Sequence, residues 1–427
     1  MKRGLSFSKM GMIILLVLTQ FALAGIFAAP ARAGDVDVLI NRLVEKGVLT
    51  RADAEAILKE TKTEKAAQPE KTVSSEKLPS WLDKISIGGD LRLRYEYRYR
   101  QEGNGAGPYN LGRFRYRVHV AGQVMDNLKV VFGLASSSGD PRSQNVTFGT
   151  GTGKSGSFAG EPMAIDLAYV QYSPVKTLTL VGGKFGNPIW TPSQLIWDTD
   201  IKTEGAAATL GVPAGEGVAF FLNTDFFVLQ TNGNKTPYLF AIQPGVKFDF
   251  APGAHVKLAG TYYNFSKLKG STPGYSPKTN TYATDGGLEY DYNMLDAGAE
   301  VSFDNLADIL PYVGLYGEYV HNPDPSTGNN AYLAGIKFGD KSIKEFGRWK
   351  VSYDYRREGR DAVPDMLPES DFFNGYTAVY GSKATFTFGL GKNIYTALNY
   401  FNGHSADASV TSNKRWDVVQ VDMGMSF

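Results

Sequence analysis

The sequence contains no cysteine among its 427 residues. Disulfide bonds, thiolate metal sites and thiol catalysis are therefore excluded. An excess of charge of one sign is also absent, because 44 Lys and Arg residues stand against 43 Asp and Glu residues. This balance argues against a nucleic-acid partner and against a polyacidic one.

Long apolar runs are absent as well, except near the N-terminus. Three basic residues among the first nine, an apolar stretch over 10–29 and a small-x-small sequence at 31–33 predict a signal peptide over 1–33. A retained N-terminal membrane helix is the alternative. Beyond this segment no apolar run is long enough for a transmembrane helix, so we expect an exported protein without a helical anchor.

Apolar residues recur convincingly at helical spacing only over 34–65, which predicts a short periplasmic segment of two helices with one apolar stripe. Another subunit, the rim of the following domain and a periplasmic protein are all open as partners of the stripe. A partly ordered hairpin without a partner is a further alternative. Residues 66–80 are polar and charged with two prolines, which predicts a linker before a domain over 81–427.

Glycine (48), tyrosine (24) and phenylalanine (25) are abundant, which suits many strands with tight bends better than a helical enzyme. From residue 81 onward the hydropathy pattern has the period of two that is typical of β-strands. Over 85–100 apolar and aromatic residues alternate with mostly charged ones, and 113–120 repeats this pattern.

The charged face of these two strands decides between a soluble sandwich and a membrane barrel. An arginine facing lipid near the bilayer centre costs about 2–4 kcal/mol, so six of them would cost on the order of 10 kcal/mol or more. Burial in the dry core of a sandwich would be worse. We therefore predict that this face lines a water-filled lumen, together with one face of a later strand. The predicted pore-lining residues are Asp90, Arg92, Arg94, Glu96, Arg98, Arg113, Arg115, Arg117, Lys350, Asp354 and Arg356.

The pattern predicts an all-β transmembrane barrel of roughly sixteen antiparallel strands, an even number as bacterial barrels require. After the first two, the strands lie near 128–137, 163–173, 177–186, 203–210, 217–229, 238–250, 255–266, 289–303, 312–321, 331–339, 348–358, 375–388, 393–402 and 414–427. Short turns alternate with long polar connections along this series. Membrane barrels have short turns at one end and long loops at the other, whereas a soluble sandwich has no reason to alternate.

The last predicted strand has an apolar face that ends at Phe427 and a mostly polar face that includes Gln420 and Asp422. This ending resembles the C-terminal signature of bacterial outer-membrane barrels, which the assembly machinery reads. Phe427 is therefore our predicted assembly signal. Because the first and last strands pair in a closed barrel, we expect Gln420 and Asp422 to lie near Arg92 and Arg94.

One long connection, 186–202, is unusually apolar for a surface loop, since it contains Trp190, Trp197, Leu195, Ile196 and Ile201. Apolar residues favour burial, and the barrel interior is the nearest shelter. Asp198 and Asp200 would then face the basic wall of the lumen. The alternative is that these two acids cap a turn of the loop and never reach the pore.

Three short sequences resemble the putative porin family of Gram-negative bacteria: Gly-Gly-Lys-Phe-Gly-Asn-Pro-Ile-Trp at 182–190, Leu-Ile-Trp-Asp-Thr-Asp at 195–200 and Glu-Gly-Ala-Ala-Ala at 204–208. With the helical N-terminal segment, the resemblance covers most of the mature chain. It implies passive transport but no particular solute. In general diffusion porins the third long loop folds inward and narrows the pore, and 186–202 holds that position here.

These features predict an outer-membrane porin, a channel for passive diffusion of small hydrophilic solutes. We expect a weak anion preference, because basic wall residues outnumber the two loop acids. An outer-membrane scaffold or adhesin within an envelope complex, with a plugged lumen, is the alternative.

An outer-membrane enzyme is disfavoured, since the sequence has no nucleophile elbow and no supported metal-ligand set, and we expect no cofactor. The expected partners are outer-membrane lipid and lipopolysaccharide, the barrel assembly machinery and small solutes. A homotrimer is expected by analogy with general porins.

Overall fold

The computed structural model describes residues 84–101, 107–149, 160–230, 236–307, 310–411 and 414–427. The predicted signal peptide, helical segment and linker lie outside the described residues. Within the described ranges, no helix has the length and the hydropathy needed to cross a membrane.

Sixteen strands form one sheet in the described part of the chain, as predicted. They are β1 (Ile85–Gln101), β2 (Gly107–Met125), β3 (Leu128–Ser136), β4 (Met163–Val175), β5 (Leu178–Gly186), β6 (Lys202–Pro213), β7 (Val218–Val228), β8 (Tyr238–Ala251), β9 (Ala254–Ser266), β10 (Asn293–Ala307), β11 (Leu310–His321), β12 (Asn330–Gly339), β13 (Trp349–Glu358), β14 (Val379–Gly391), β15 (Ile394–Ser405) and β16 (Arg415–Ser426). A two-residue strand, Val146–Thr147, adds to β2, and Phe373–Gly375 is a short 3-10 helix.

The sheet closes on itself, because β1 pairs in antiparallel fashion with both β2 and β16. In this last pairing Arg94 lies opposite Asp422, and Glu96 lies opposite Gln420. Every remaining strand pairs with its neighbour in the chain. Closure leaves no open edge, which is what a sheet needs in order to satisfy its backbone groups in lipid.

The outer face of the barrel is apolar and the inner face is charged, which is the opposite of the distribution in a soluble protein. Leu93 on the outer face is 41% exposed, whereas its neighbour Arg94 on the inner face is only 5% exposed. Aromatic rings meet near the strand ends at the short-turn end of the barrel, as between Phe250 and Phe303 and between Phe338 and Trp349. Such girdles mark the two membrane interfaces of barrels in lipid.

The connections alternate as predicted. Those that lead from an even-numbered strand to the next are short turns, such as 126–127, 176–177 and 252–253, except for the nine-residue connection 340–348. Those that follow an odd-numbered strand include the long loops 137–162, 187–201, 267–292 and 359–378. The long loops therefore share one end of the barrel, opposite the end at which β1 begins and β16 finishes.

Two strand starts differ from the sequence prediction by four residues. β10 begins at Asn293 and not near 289, and β14 begins at Val379 and not near 375. The residues before each start belong to long loops that pack together, where Tyr292 donates a hydrogen bond to Asp361 over 3.2 Å. Alternating hydropathy extends through these loop ends, because they too have one buried and one polar side.

Candidate functional site

The basic wall formed by β1 and β2 is largely neutralised by carboxylates. Arg94 makes two hydrogen bonds of 2.7 and 2.9 Å to Asp422 and a third of 2.8 Å to Asp371. Arg98 donates to Glu96, and Glu96 also accepts from Gln420 over 2.9 Å. The expected proximity of the first and last strands' polar faces is thus found.

Toward the short-turn end of the barrel, Asp90 forms ion pairs with two arginines of this wall. It lies 3.1 Å from Arg115 and 2.5 Å from Arg117. Arg113 sits 3.6 Å from Glu96. Arg92 differs, since it forms no ion pair with any described residue. Its Nη2 donates to the Asn145 amide oxygen over 2.7 Å, and its Nε has no hydrogen-bond partner.

The predicted lumen residues of β13 lie on the same interior space. Arg356 is 1% exposed and sits 2.7 Å from Glu369, 3.4 Å from Asp354 and 3.9 Å from Glu358. Lys350, on the same face of the strand, lines a cavity of about 700 Å³. It has no ion pair among the described residues.

Loop 187–201 lies against the inner wall. The Trp190 N–H donates to the Gln243 amide oxygen on β8 over 2.8 Å, and the Gln243 amide donates back to the Trp190 carbonyl over 2.8 Å. The Trp197 indole lies 3.3 Å from the Tyr263 hydroxyl on β9. Leu195 in the same loop is fully buried. Ile189, Ile196 and Trp197 are buried as well, whereas Trp190 and Ile201 are half-buried.

Loop 187–201 also contacts side chains of β9, β11 and β13. Ser193 donates to Glu318 on β11, and Arg356 on β13 donates to the Gln194 carbonyl over 3.3 Å. Lys257 on β9 places its ammonium 4.1 Å from the centre of the Trp190 ring. A segment that begins and ends on adjacent strands therefore reaches side chains of strands far from its own.

The two loop acids have different environments. Asp200 lies 3.2 Å from Arg115, so it meets the basic wall. Asp198 accepts the backbone N–H of Asp200 over 2.9 Å and that of Ser370 over 2.8 Å, so it caps a turn and also joins the loop to 359–378. Burial and the neighbouring charge of Asp200 raise the pKa of Asp198 to about 8. Asp198 is therefore mostly uncharged at neutral pH.

Loop 359–378 is the element that the sequence reasoning missed. Its Glu369 lies 2.7 Å from Arg356 and also accepts a hydrogen bond from Lys383. Although burial opposes ionisation, these two cations hold the pKa of Glu369 below its usual range. The signal was present in the sequence, because Leu367, Phe372 and neighbouring apolar residues occupy this loop just as apolar residues occupy 187–201.

Three cavities are lined in part by loop 187–201, and two of them share lining residues on β14. The larger of these two, of about 700 Å³, is lined by the loop, by β13 and by Lys383, Thr385 and Thr387 of β14. The smaller, of about 220 Å³, is lined by Arg92 and Arg94 among others. Both are lined by Asp198, Lys383 and Asn399, so the two spaces adjoin along the same surface.

The comparisons with known proteins agree with this geometry. A search of curated proteins found no match. Among solved structures, Pseudomonas putida OprB at high pH matches with a TM-score of 0.54 and 8% identity, over 82% of this chain and 96% of that one.

Two further structures match with lower scores. Salmonella typhi OmpF in complex with daunomycin has a TM-score of 0.49 and 10% identity, over 80% of this chain and 97% of that one. A triple mutant of Rhodopseudomonas blastica porin has a TM-score of 0.43 and 12% identity, over 80% of this chain and 100% of that one.

The family comparison is more specific than these structural matches. The model of the putative porin family matches residues 108–296 and 287–427, which together make up most of the chain. The chain belongs to the putative porin family.

Proposed function

We propose that the protein is an outer-membrane porin, a water-filled channel for passive diffusion of small hydrophilic solutes that loop 187–201 narrows. The observation that carries the proposal is the polar space beside this loop, bounded by charged groups of the barrel wall. A barrel of sixteen strands is wide enough for an aqueous channel. Family membership supports the same function.

Loop 187–201 would narrow the channel because its backbone is bound to the wall at Gln243 and Arg356. With Asp198 mostly uncharged, the unpaired cations Arg92 and Lys350 would give the passage a weak anion preference. The proposal includes an outer-membrane location, assembly through the strand that ends at Phe427, and surrounding lipid and lipopolysaccharide. A homotrimer stays a prediction.

The second candidate is a surface scaffold or adhesin with a filled barrel. It is favoured by the apolar cluster that residues of 187–201, 267–292 and 359–378 form with the inner wall, which includes Leu288 and Val363. A cluster of this size reduces the open space near the long loops. The adjoining polar cavities favour the channel.

Swelling of liposomes that contain the purified full chain separates the two candidates. A porin admits a pentose faster than a disaccharide, whereas a filled scaffold admits neither. Replacing 190–197 with a Gly-Ser segment of equal length should raise the single-channel conductance. A four-residue Gly-Ser replacement at 324–327, in the loop between β11 and β12, is the control and should leave the conductance unchanged. No swelling and no conductance would contradict the proposal.

A further inference from the structure

The smaller cavity contains one cation that no protein carboxylate neutralises. Within the described ranges, Arg92 has a single side-chain partner, the neutral amide of Asn145. Its Nε has no hydrogen-bond partner, which is also true of Arg113, Arg115 and Arg356, but those three arginines form ion pairs and Arg92 forms none with a described residue. A guanidinium without a carboxylate partner beside a polar cavity is a ready donor for an anion.

The nearby carboxylates are bound by other residues. Asp371 and Asp422 both pair with Arg94, at 2.8 and 2.7 Å. Asp200 pairs with Arg115, which lies directly opposite Arg92 in the register of β1 and β2. Like charges opposite each other in neighbouring strands repel, so an anion at Arg92 would relieve this repulsion.

The charge of the lining indicates an anion with one charge. Five cations line the cavity, and four of them form an ion pair with a carboxylate of the described residues: Arg94, Arg115, Arg142 and Lys383. Arg92 is the fifth and forms no such pair. One unpaired guanidinium matches an anion with a single charge. A divalent anion would exceed that charge.

The size and the polar groups of the cavity narrow the class of anion further. Its volume is about 220 Å³, and Thr385, Asn399 and Gln420 contribute hydroxyl and amide groups. The planar guanidinium matches a carboxylate with two parallel hydrogen bonds. The remaining polar groups suit a hydroxyl substituent on the anion.

We propose that Arg92 forms the centre of a binding subsite for small hydroxy-monocarboxylates within the channel. The subsite lies beside loop 187–201, so a solute that diffuses along this surface would bind there transiently. This inference rests on the proposed porin function and adds a substrate class to it. Flux of such an anion would saturate with concentration, whereas flux of its neutral analogue would not.

The test compares lactate with lactamide, which has nearly the same shape but no charge. Flux into liposomes containing the purified full chain is measured for each across a range of concentrations. The wild-type protein should show saturable lactate flux and linear lactamide flux. In Arg92→Gln the half-saturating lactate concentration should rise at least tenfold, while lactamide flux stays unchanged. In Lys176→Gln, which removes an equal charge from the exposed short turn 176–177, the rise should stay below twofold.

A second variant retains Arg92. Asn145→Asp places a carboxylate where Arg92 already donates a hydrogen bond, so it should neutralise the guanidinium and abolish saturation as Arg92→Gln does. Heat-modifiable migration checks that each variant forms a barrel.

Three outcomes would overturn the inference while the channel function stands: linear lactate flux in the wild type, equal losses in Lys176→Gln and Arg92→Gln, or equally strong competition by phosphate. Absence of any flux would instead overturn the proposed function.

Discussion

At the residue scale, the interior shows how a barrel accommodates many charges in little space. Most arginines of β1 and β2 are held by carboxylates within hydrogen-bond distance, so little of their charge is available to solutes. A buried charge is costly unless it is paired. The exposed chemistry of the channel therefore depends on the few groups left over, such as Arg92, and on acids that are uncharged.

Asp198 should make ion selectivity depend on pH. Its pKa is raised to about 8 by burial and by the charge of Asp200, so it is neutral below that pH and negative above it. Anion preference should therefore fall as the pH rises from 7 to 9. Reversal potentials in a salt gradient measure the change, and Asp198→Asn should remove it. If Asp198→Asn keeps the wild-type pH dependence, another group is responsible.

At the element scale, the final strand is held to β1 by its backbone and by its terminal ring. Gly89 and Phe427 exchange two backbone hydrogen bonds of 3.1 Å. A Cβ on Gly89 would lie 2.6 Å from the Phe427 ring and 2.3 Å from the Arg117 carbonyl. The ring therefore covers a position where no side chain fits, an arrangement known to stabilise glycine in sheets.

Gly89→Val should displace Phe427 and lower the yield of assembled, heat-modifiable barrel in membranes. Gly122→Val on β2 is the matched control, because a Cβ at Gly122 meets nothing within 4 Å. Phe427→Asp should reduce the yield as well, since a charged residue disfavours the membrane interface. Equal yields for Gly89→Val and the wild type would show that packing of the Phe427 ring over Gly89 is not needed for assembly.

The loops show where reasoning from sequence succeeds and where it fails at this scale. Two tryptophans drew attention to 187–201, in which Trp197 is buried beside Tyr263 and Trp190 is half-buried. Loop 359–378 carries the same apolar signal without tryptophan, and Ala362 and Val363 in it are fully buried. Its burial depends on contacts with 267–292, such as Asp365 accepting the Thr279 N–H over 2.7 Å. Because the two loops bury each other in irregular conformations, neither sequence shows a regular spacing of apolar residues that would predict the contact.

At the scale of the whole molecule, the pair Arg94–Asp422 joins strands that are 328 residues apart in sequence. Both side chains are almost fully buried, at 3% and 4% exposure. Removing one partner of a buried pair leaves an uncompensated charge, which typically costs about 3–5 kcal/mol. Closure of the barrel should therefore be sensitive to this pair.

Arg94→Met should lower the free energy of unfolding by about 3–5 kcal/mol. Arg117→Met, whose parent side chain is 31% exposed, should cost less and is the control. Combining Arg94→Met with Asp422→Met should restore part of the free energy of unfolding, because the second change removes the carboxylate that Arg94→Met leaves unpaired. Denaturant unfolding in detergent measures all three. Additive losses in the double variant would contradict a direct coupling.

The sequence by itself determined the strands, their number and the face that each turns inward. A period of two places residues on opposite faces, and the cost of arginine in lipid orients those faces without any knowledge of neighbours. The sequence also predicted that Asp422 and Asp200 would lie near the basic wall, but only the tertiary structure decided which arginine each of them pairs with, and it added Asp371. Asp422, Asp371 and Asp200 reach the basic wall from the last strand and from two loops, so Arg94 and Arg115 are neutralised and Arg92 is left with a neutral partner. Pairing depends on distances of a few ångströms between segments hundreds of residues apart, and no local pattern encodes those distances.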